Sequence, residues 1–482
     1  MKIVLFHPRG FASDPQARRL HHLACTMPPI GLASIAAVLR RAGHRVAILD
    51  AALFSSVTNE QWALRIAAEA PDLVGFSAIT ASFLDAYDVA RRVKERDHRI
   101  RTVFGGPHVS WGKEKILSRF ACVDLVIAGE GEHSFCKLAD GAPLGDVEGL
   151  YFRNGTGVEH GPPPVGCDLD TLPFPAYDLL EGFPNRYLMP LFSYPRHPGA
   201  NVISSRGCIY QCSYCDRSVF GRSFRFNSPE YTAGLVEALA TDYGVRHINF
   251  YDDLFTLNAD RVQRLCGLLS QGRRSHRIRF NCIVRLGHID DNLIRLLKDA
   301  GCFMVNVGIE SGDQSILDKH KCGLTLETIR TDINRIAASG IYVKGLFMIG
   351  FPGETVASIA RTRDFALSLP LAAANLTAFT PFPGAPITQD IAALGSFDDD
   401  WPKMDCEHFV FVPHEIGSRE VLVSQYKAFV KAFYQRRQMR PFYRAMLFRS
   451  PHSYLRLVRH GLTFASYARG VNAPDAPKVA AP

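Results

Sequence analysis

The sequence has no run of 18 apolar residues among its 482 positions, so we expect no membrane-spanning helix. The apolar run near Met1 is too short for a signal peptide. The twelve cysteines lack the paired spacing of a secreted disulfide framework, which predicts reduced thiols and a cytoplasmic protein. With 47% hydrophobic residues, the chain is long enough for two or three domains, each with its own core.

Acidic residues are missing from residues 424–470, which contain ten Lys or Arg. This exceeds the +8 net charge of the whole chain, so the rest is slightly acidic by the same formal count. Basic and aromatic residues interleave over 436–470. Three interpretations stay open: a helical cap with solvated arginines, a peripheral contact with the inner membrane face, and nucleic-acid binding, which is least favoured. We expect residues 471–482 to be disordered.

Strand and helix patterns alternate through residues 1–145, which predicts a doubly wound parallel α/β sheet. Ligands of such sheets lie beyond the carboxyl ends of the strands. Small and polar residues collect at three consecutive strand ends: Ser77, Thr80, Gly105, Gly106, Gly129, Glu130 and Gly131. We predict a ligand site there, with ordinary turns between strand and helix as the alternative.

Residues 146–196 are rich in glycine and proline, including three consecutive prolines at 162–164. Prolines at these intervals prevent regular helices. We therefore expect a linker here. Residues 401–470 form the helical basic C-terminal region.

Residues 197–400 contain six strand and helix units, which predicts a βα barrel with its site at the carboxyl ends of the strands. Polar residues and glycine turns follow these strands: Asp252, Asp253, Arg285, Glu310, Ser311, Gly350 and Glu354. The carboxylates could accept hydrogen bonds from an ammonium or hydroxyl group, and the arginine could pair with a carboxylate. Some of these residues could instead cap helices.

Cys208, Cys212 and Cys215 form the pattern C-x3-C-x2-C on one short loop. Three thiolates can hold three irons of a cubane cluster, whereas bacterial ferredoxins supply a fourth cysteine nearby. The next cysteine here is Cys266, so one iron stays open for a small molecule. The alternatives are buried cysteines or a zinc site, which needs a fourth ligand that the sequence does not offer.

This motif, with Tyr214 before its last cysteine, resembles the radical S-adenosylmethionine (SAM) superfamily. The resemblance implies a 4Fe-4S cluster, SAM on the open iron, and reductive cleavage of SAM to a 5′-deoxyadenosyl radical. The electron would come from a flavodoxin or ferredoxin. Glu310 and Ser311 look like the ribose and methionyl contacts, and Gly350 to Glu354 look like the adenine turn. Asp252 and Asp253 stand where many members have Gly-Gly-Glu and are candidate SAM contacts. Arg285 is a further candidate SAM contact.

The first domain is similar to the flavodoxin-like domain of the cobalamin-binding class of that superfamily. The resemblance lies in the Gly-Gly-Pro-His turn at 105–108 and the Gly-Glu-Gly-Glu turn at 129–132. It implies that the strand-end set binds cobalamin. The Asp-x-His-x-x-Gly motif that supplies a lower axial histidine in related cobalamin enzymes is missing. His7 and His108 are the nearest candidates, and we expect structural roles for both.

The resemblance covers about residues 1–450 and implies a partial (β/α)6 barrel. It extends to anaerobic magnesium-protoporphyrin monomethyl ester cyclases and to class B methylases, including hopanoid methylases. The main hypothesis is a C-methyltransferase that acts on an unactivated carbon through a deoxyadenosyl radical and methylcobalamin. Its substrate would be lipid-like, a tetrapyrrole or another secondary metabolite. An oxidative cyclase is the alternative; a tRNA methylthiotransferase and a cofactor carrier are less favoured.

Overall fold

Five parallel strands build the first sheet of the computed structural model, which describes residues 1–9, 25–155, 157–321 and 323–459. The strands are β1 (Lys2–His7), β2 (Arg45–Asp50), β3 (Leu73–Ser77), β4 (Arg101–Gly105) and β5 (Leu125–Ile127). Their order is β2-β1-β3-β4-β5. This is the flavodoxin-like order, so the predicted fold of the first domain is confirmed.

Helices cover both faces of this sheet. They are α1 (Ile30–Arg41), α2 (Asn59–Ala68), α3 (Phe83–Arg96), α4 (Pro107–Gly112), α5 (Glu114–Arg119) and α6 (Glu132–Ala139). Because helices lie on both faces, the inner strands are apolar throughout, as in the fully buried run from Ile3 to Phe6. Local sequence also sets helix starts: Thr58 and Gln61 form a capping box at the start of α2.

The first sheet extends into the segment that we predicted as a linker. Strands β6 (Leu150–Asn154) and β7 (Gly157–His160) form an antiparallel hairpin on the edge of β5. The apolar residues of β6 are buried, so this run stabilises the sheet edge. The irregular connector therefore begins near Gly161. It contacts both halves of the chain, because the Tyr187 hydroxyl donates to Asp50 and the Tyr177 hydroxyl donates to the Asn201 carbonyl.

A second parallel sheet curls into the partial barrel. Its strands are β8 (Gly199–Val202), β11 (His247–Phe250), β12 (Arg279–Val284), β13 (Cys302–Glu310), β14 (Tyr342–Ile349) and β15 (Ala373–Ala378), in the order β15-β14-β13-β12-β11-β8. The outer helices are α7 (Pro229–Asp242), α8 (Ala259–Gln271), α9 (Asp291–Asp299), α10 (Gln314–His320), α11 (Leu326–Ala338) and α12 (Val356–Ser368). A short hairpin of β9 (Ser205–Arg206) and β10 (Arg225–Phe226) brackets the cysteine loop. This confirms the predicted six-unit barrel.

The C-terminal region packs against the barrel. It contains α13 (Ile391–Leu394), β16 (Gly395–Phe397), β17 (Phe411–Pro413), α14 (Arg419–Gln435) and α15 (Met439–Arg449), and residues 451–459 are also helical. The ring of Phe442 in α15 lies 5.1 Å from that of Tyr342 at the start of β14. Among the described helices, none is long and apolar enough to cross a membrane.

Two arginines of this region are half-buried and contact backbone carbonyls, whereas Arg437, Arg440, Arg449 and Arg459 are exposed, as expected for a cap. The Arg436 guanidinium donates to the carbonyls of Ala366, Leu369 and Leu371. Arg456 donates to the Met189 carbonyl. Carbonyls at a helix end need donors, and the half-buried Arg436 guanidinium supplies several. Residues 460–470 of the basic segment and the tail 471–482 lie outside the described residues.

Candidate active site

The three cysteines lie on the loop between β9 and β10, at the mouth of the barrel. All three are partly exposed free thiols. Gly207, just before Cys208, has φ +86°, and a Cβ there would come within 2.1 Å of the Ser223 carbonyl oxygen. Only glycine fits this close approach, so the loop turns tightly into its first cysteine. The Gly207 N–H donates to Asp253.

The three thiols are not arranged as the ligands of a single metal ion. Their sulfur atoms are not all within 4.8 Å of one another. One tetrahedral zinc ion would hold them about 3.8 Å apart, from its bond length of about 2.3 Å. Burial and the neighbouring Cys212 and Cys208 raise the pKa of Cys215 to about 12. Thiolates here therefore need a nearby positive charge, which iron would supply.

Tyr214 and Glu310 meet beside the cysteine loop. Burial, the charge of Glu310 and hydrogen bonds to Cys212 and Glu310 raise the pKa of Tyr214 far above its ordinary value. Glu310 ends β13 at a bulge with φ +65° and pairs with Lys321 at 2.8 Å. A non-glycine residue in this left-handed region is costly, and such strain concentrates at functional sites. The structure thus brings Glu310 to the cluster side of the barrel mouth.

Asp252 and Asp253 follow β11 but point to different surroundings. Asp252 is 1% exposed and accepts hydrogen bonds from the Ser204 N–H, the Ser204 hydroxyl and the Ser205 N–H. These contacts fill its carboxylate, which fits a role in positioning the β8–β9 turn and not the predicted SAM contact. Asp253 is exposed and holds the glycine that precedes the first cysteine.

Ser311 and Glu354 are also fully buried. The Ser311 hydroxyl is fully buried against Thr362, 3.1 Å away. Glu354 accepts from the N–H groups of Gly350 and Phe351 at 2.6 and 3.1 Å. Burial raises the Glu354 pKa to about 8, so this carboxyl is mostly protonated at neutral pH. Glu354 thus holds the Gly350–Phe351 turn, and Ser311 packs against α12 through Thr362.

Arg285 lies over the ring of Tyr210, a residue of the cysteine loop, with its guanidinium carbon 3.4 Å from the ring centre. The Tyr210 hydroxyl is 3.0 Å from His288. A cation over an aromatic face is a favourable contact. Arg285 thus lies near Cys208, with its flat face occupied by Tyr210, and its role as a SAM contact stays a prediction.

A pocket of about 790 Å³, including its open mouth, lies at the carboxyl edge of the first sheet. Six of the seven residues predicted at the strand ends line it: Ser77, Gly105, Gly106, Gly129, Glu130 and Gly131. Gly106 has φ +103°, and a Cβ there would lie 2.6 Å from the Ala78 carbonyl oxygen. An apolar slot between the sheet and helices α1 and α6 continues the pocket inward, lined by Leu5, Leu32, Ile35, Val103 and Phe135. Cobalamin carries a flat aromatic base on a long tail, and these residues fit such a group.

Thr80 is the predicted residue that does not line this pocket. It is buried, and its hydroxyl lies 3.3 Å from His108. Burial lowers the His108 pKa to about 4, so the ring is neutral at physiological pH. It packs between aromatic rings, with Trp401 4.4 Å away. His7 is held by Asp50 at 2.8 Å. Both histidines therefore have the structural contacts that we expected.

Arg206 joins the pocket to the cysteine loop. It pairs with Glu130 at 2.5 Å and with Glu132 at 2.6 Å. Arg225 of β10 also pairs with Glu130. These side chains are mostly buried, so loss of one partner would leave a buried charge uncompensated. The turn at residues 129–132, which lines the pocket, is thereby held to the β9–β10 hairpin, which brackets the cysteine loop.

Sequence reasoning missed the residues that the second domain contributes to the pocket. Val219 and Phe220, which follow the third cysteine on the same loop, line it together with Ile203 and Arg206. The sequence did carry a signal, because two apolar residues directly after a metal-binding loop are expected to pack against another surface. The partner surface, however, could not be read from a local pattern.

Comparisons with known proteins agree with this two-site architecture. A model of the B12 binding domain matches residues 20–139, and a model of the radical SAM superfamily matches residues 202–366. A protein of Pyrococcus horikoshii named uncharacterized methyltransferase PH0819 is 33% identical over 390 residues, 80% of this chain and 82% of that protein. The chain belongs to the cobalamin-binding radical SAM superfamily. It is a radical SAM enzyme whose cofactors are a 4Fe-4S cluster, SAM and cobalamin.

Other members are more distant. The anaerobic magnesium-protoporphyrin IX monomethyl ester cyclase of Rubrivivax gelatinosus is 25% identical over 458 residues, 90% of this chain and 79% of that protein. The radical SAM methyltransferase TsrM of Kitasatospora setae, solved with tryptophan and a SAM analogue, superposes with a TM-score of 0.65 at 20% identity. The match covers 81% of this chain and 76% of TsrM. This likeness supports the fold.

Proposed function

We propose that the protein transfers a methyl group to an unactivated carbon of a small organic substrate. One observation carries the proposal: the loop that holds Cys208, Cys212 and Cys215 continues into Val219 and Phe220, which wall the cobalamin pocket. The two cofactor sites are therefore neighbours across one loop. When bound, the cluster and SAM supply a radical that removes a hydrogen atom from the substrate, and cobalamin supplies the methyl group.

Within this proposal, the three cysteines hold the cluster, and the SAM contacts are Tyr214, Asp253, Arg285, Glu310 and the Gly350 backbone. Asp253 and Glu310 offer carboxylates at the barrel mouth for an ammonium and hydroxyl groups. Asp252, Ser311 and Glu354 position these elements. The strand-end residues that line the pocket approach cobalamin through backbone, since most of them are glycines.

In the proposed domain organisation, each sheet holds one cofactor site. We propose a cobalamin domain that includes the β6–β7 hairpin, a connector from about residue 161, and a radical SAM barrel closed by the C-terminal helices. The substrate lies where the barrel mouth faces the first sheet. A flavodoxin or ferredoxin supplies the electron.

The substrate class we favour is a tetrapyrrole, a lipid-like molecule or another secondary metabolite. Membrane contact through residues 436–470 would bring a lipid-like substrate to the enzyme. In support, Phe448 is 84% exposed and Val458 is 83% exposed, beside Arg449 and Arg459. Exposed apolar side chains among arginines suit an anionic bilayer surface.

The test is the mass of the product. The reconstituted enzyme, reduced anaerobically, is given SAM with a deuterated methyl group and candidate tetrapyrroles, lipids and aromatic metabolites. Methyl transfer predicts a product that carries the deuterated methyl. A product that has lost hydrogen and gained no methyl would contradict the proposal and favour the oxidative cyclase, the reaction named for the Rubrivivax gelatinosus relative.

A further inference from the structure

Lys344, on the inner wall of the barrel, has no charged partner among the residues that the structure describes. Burial alternates along β14: Val343, Gly345, Phe347 and Ile349 are buried. Phe347 faces outward, since its ring lies 5.4 Å from that of Phe429 in α14. Because side chains alternate across a strand, Lys344 faces the barrel interior.

The neighbours of Lys344 on this inner wall are neutral. Asn306 of β13 is its register partner and lies on the same face. Asn375 of β15, one strand away, is exposed on the inner side. The inner face is partly exposed, because Asn306 and Lys344 are half-buried, and Tyr251, which follows β11, is 52% exposed. The inner wall beside Lys344 is thus polar and not fully packed.

Among the described residues, the Lys344 side chain makes no hydrogen bond and no ion pair. The one ionisable group whose charge acts on it is the Cys25 thiol. Burial raises the Cys25 pKa to about 11, so this thiol is neutral and does not balance the ammonium. Arg456 also acts on Cys25, which adds a second positive charge to this end of the inner wall. Lys344 is half-buried, and this partial burial lowers its pKa, so an anion that entered from outside the described residues would stabilise the ammonium.

We propose that Lys344 binds an anionic group of the substrate, a carboxylate or a phosphate. This proposal rests on the proposed function and narrows its substrate class. In the register, Glu310 lies level with Phe347, three residues beyond Lys344, or about 10 Å along the strand. The substrate is therefore elongated, with its anionic end at Lys344 and its reacting carbon at the barrel mouth. A carboxylated tetrapyrrole or a phosphorylated metabolite fits this description, whereas a neutral lipid does not.

The first test measures access to the lysine in wild-type protein that holds all three cofactors. Its amines are acetylated briefly under nitrogen, and peptide mass spectrometry gives the rate at each lysine. The solutions contain inorganic phosphate, acetate or chloride at equal ionic strength. We expect phosphate or acetate to slow acetylation of Lys344 at least about threefold, while exposed Lys431 on α14 is unaffected. Protection by only one anion identifies the group; protection by neither overturns the proposal.

The second test uses charge variants. Lys344→Gln removes the charge at nearly constant volume, and Lys344→Arg keeps it. We expect the anion that protects the lysine to raise the melting temperature of the wild type and of Lys344→Arg, but not of Lys344→Gln. Once a substrate is known, Lys344→Gln should raise its KM about tenfold or more, as expected for a lost hydrogen bond to a charged group. An equal response of all three proteins overturns the proposal.

These outcomes separate the two proposals. Protection of Lys344 from acetylation needs no turnover. If an anion protects Lys344 but no methylated product forms, the methyl transfer is contradicted and the anion site stands. Methyl transfer with an unchanged KM in Lys344→Gln, and no protection, sinks the anion site alone.

Discussion

Replacing Arg206 with methionine should remove the ion pairs that join the turn at residues 129–132 to the β9–β10 hairpin, and so destabilise the fold. Arg206 pairs with Glu130 and Glu132, and the exposed fractions of the three side chains are 14%, 11% and 6%. Removing one partner of a buried ion pair leaves a charge uncompensated and costs about 3–5 kcal/mol. Arg225 still pairs with Glu130, so most of the cost falls on Glu132. Arg206→Met should therefore lower the free energy of unfolding by this amount.

The loss should depend on pH, with a sign set by Glu132. Burial alone would raise the Glu132 pKa, but the Arg206 charge and hydrogen bonds from Arg206 and Ser34 lower it below its ordinary value. In the wild type, this carboxylate stabilises the fold above its unfolded pKa, and the contribution disappears as the pH falls through the lowered folded value. Without Arg206, burial raises the folded pKa, so stability is lost as the pH rises. The gap between variant and wild type should be wider at pH 8 than at pH 4.5.

The assay is urea unfolding under nitrogen, followed by tryptophan fluorescence. Trp62 is buried in the first domain, and Trp401 packs on His108 there, so the signal reports on the domain that Arg206 holds. The matched control is Arg264→Met, whose ion pair with Glu230 is 64% and 58% exposed and should contribute at most about 1 kcal/mol.

A double-mutant cycle decides whether the pair itself is responsible. Adding Glu132→Gln to Arg206→Met should recover about 1–3 kcal/mol relative to additive losses. The reasoning is refuted if Arg206→Met costs no more than Arg264→Met, or if the cycle shows no coupling.

Four further outcomes follow. Alanine at all three cluster cysteines should abolish SAM cleavage, and cleavage retained in the reconstituted triple variant would contradict the cluster assignment. Gly105→Leu should lower the cobalt content and leave the iron content unchanged. A Cβ at residue 105 meets only the Ile127 carbonyl oxygen, at 3.9 Å, so the protein tolerates the leucine, whose side chain fills the pocket. Gly267→Leu, in open space on α8, is the control. Phe448→Asp should weaken co-sedimentation with anionic liposomes, and exposed Leu64→Asp should not; equal binding would reject the membrane contact. Burial lowers the pKa of His247 to about 3, so below about pH 6.5 the unfolded chain is protonated at His247 while the folded protein is not, and the free energy of unfolding falls with the pH. His247→Gln should flatten this acid dependence in urea unfolding, and an unchanged slope would refute it.

Periodicity predicted the two sheets because each strand is an apolar run bounded by turns. The hairpin β6–β7 escaped, since it consists of two short strands that follow a glycine and precede three prolines. Its antiparallel pairing with β5 is a tertiary contact, so proline and glycine content alone pointed to a linker.

At the site, residue type and placement at a strand end predicted which turns gather, but not which way a side chain points. Asp252 and Asp253 are adjacent and acidic, yet only Asp253 is exposed at the barrel mouth. The difference arises from Ser204 and Ser205, which are distant in sequence and fill the Asp252 carboxylate. Lys344 did carry a local signal, because it is the only charged residue in an otherwise apolar strand, β14.

Metal content tests the central claim most directly. The protein would be purified anaerobically from cells supplied with cobalamin, its visible spectrum recorded, and its cobalt and iron measured per chain. A cobalamin-dependent radical SAM enzyme predicts about one cobalt and about four irons, with the broad absorbance of an iron-sulfur cluster. Iron and sulfide without cobalt would contradict the account, because the pocket on the first sheet would then serve another ligand and the methyl transfer would have no donor.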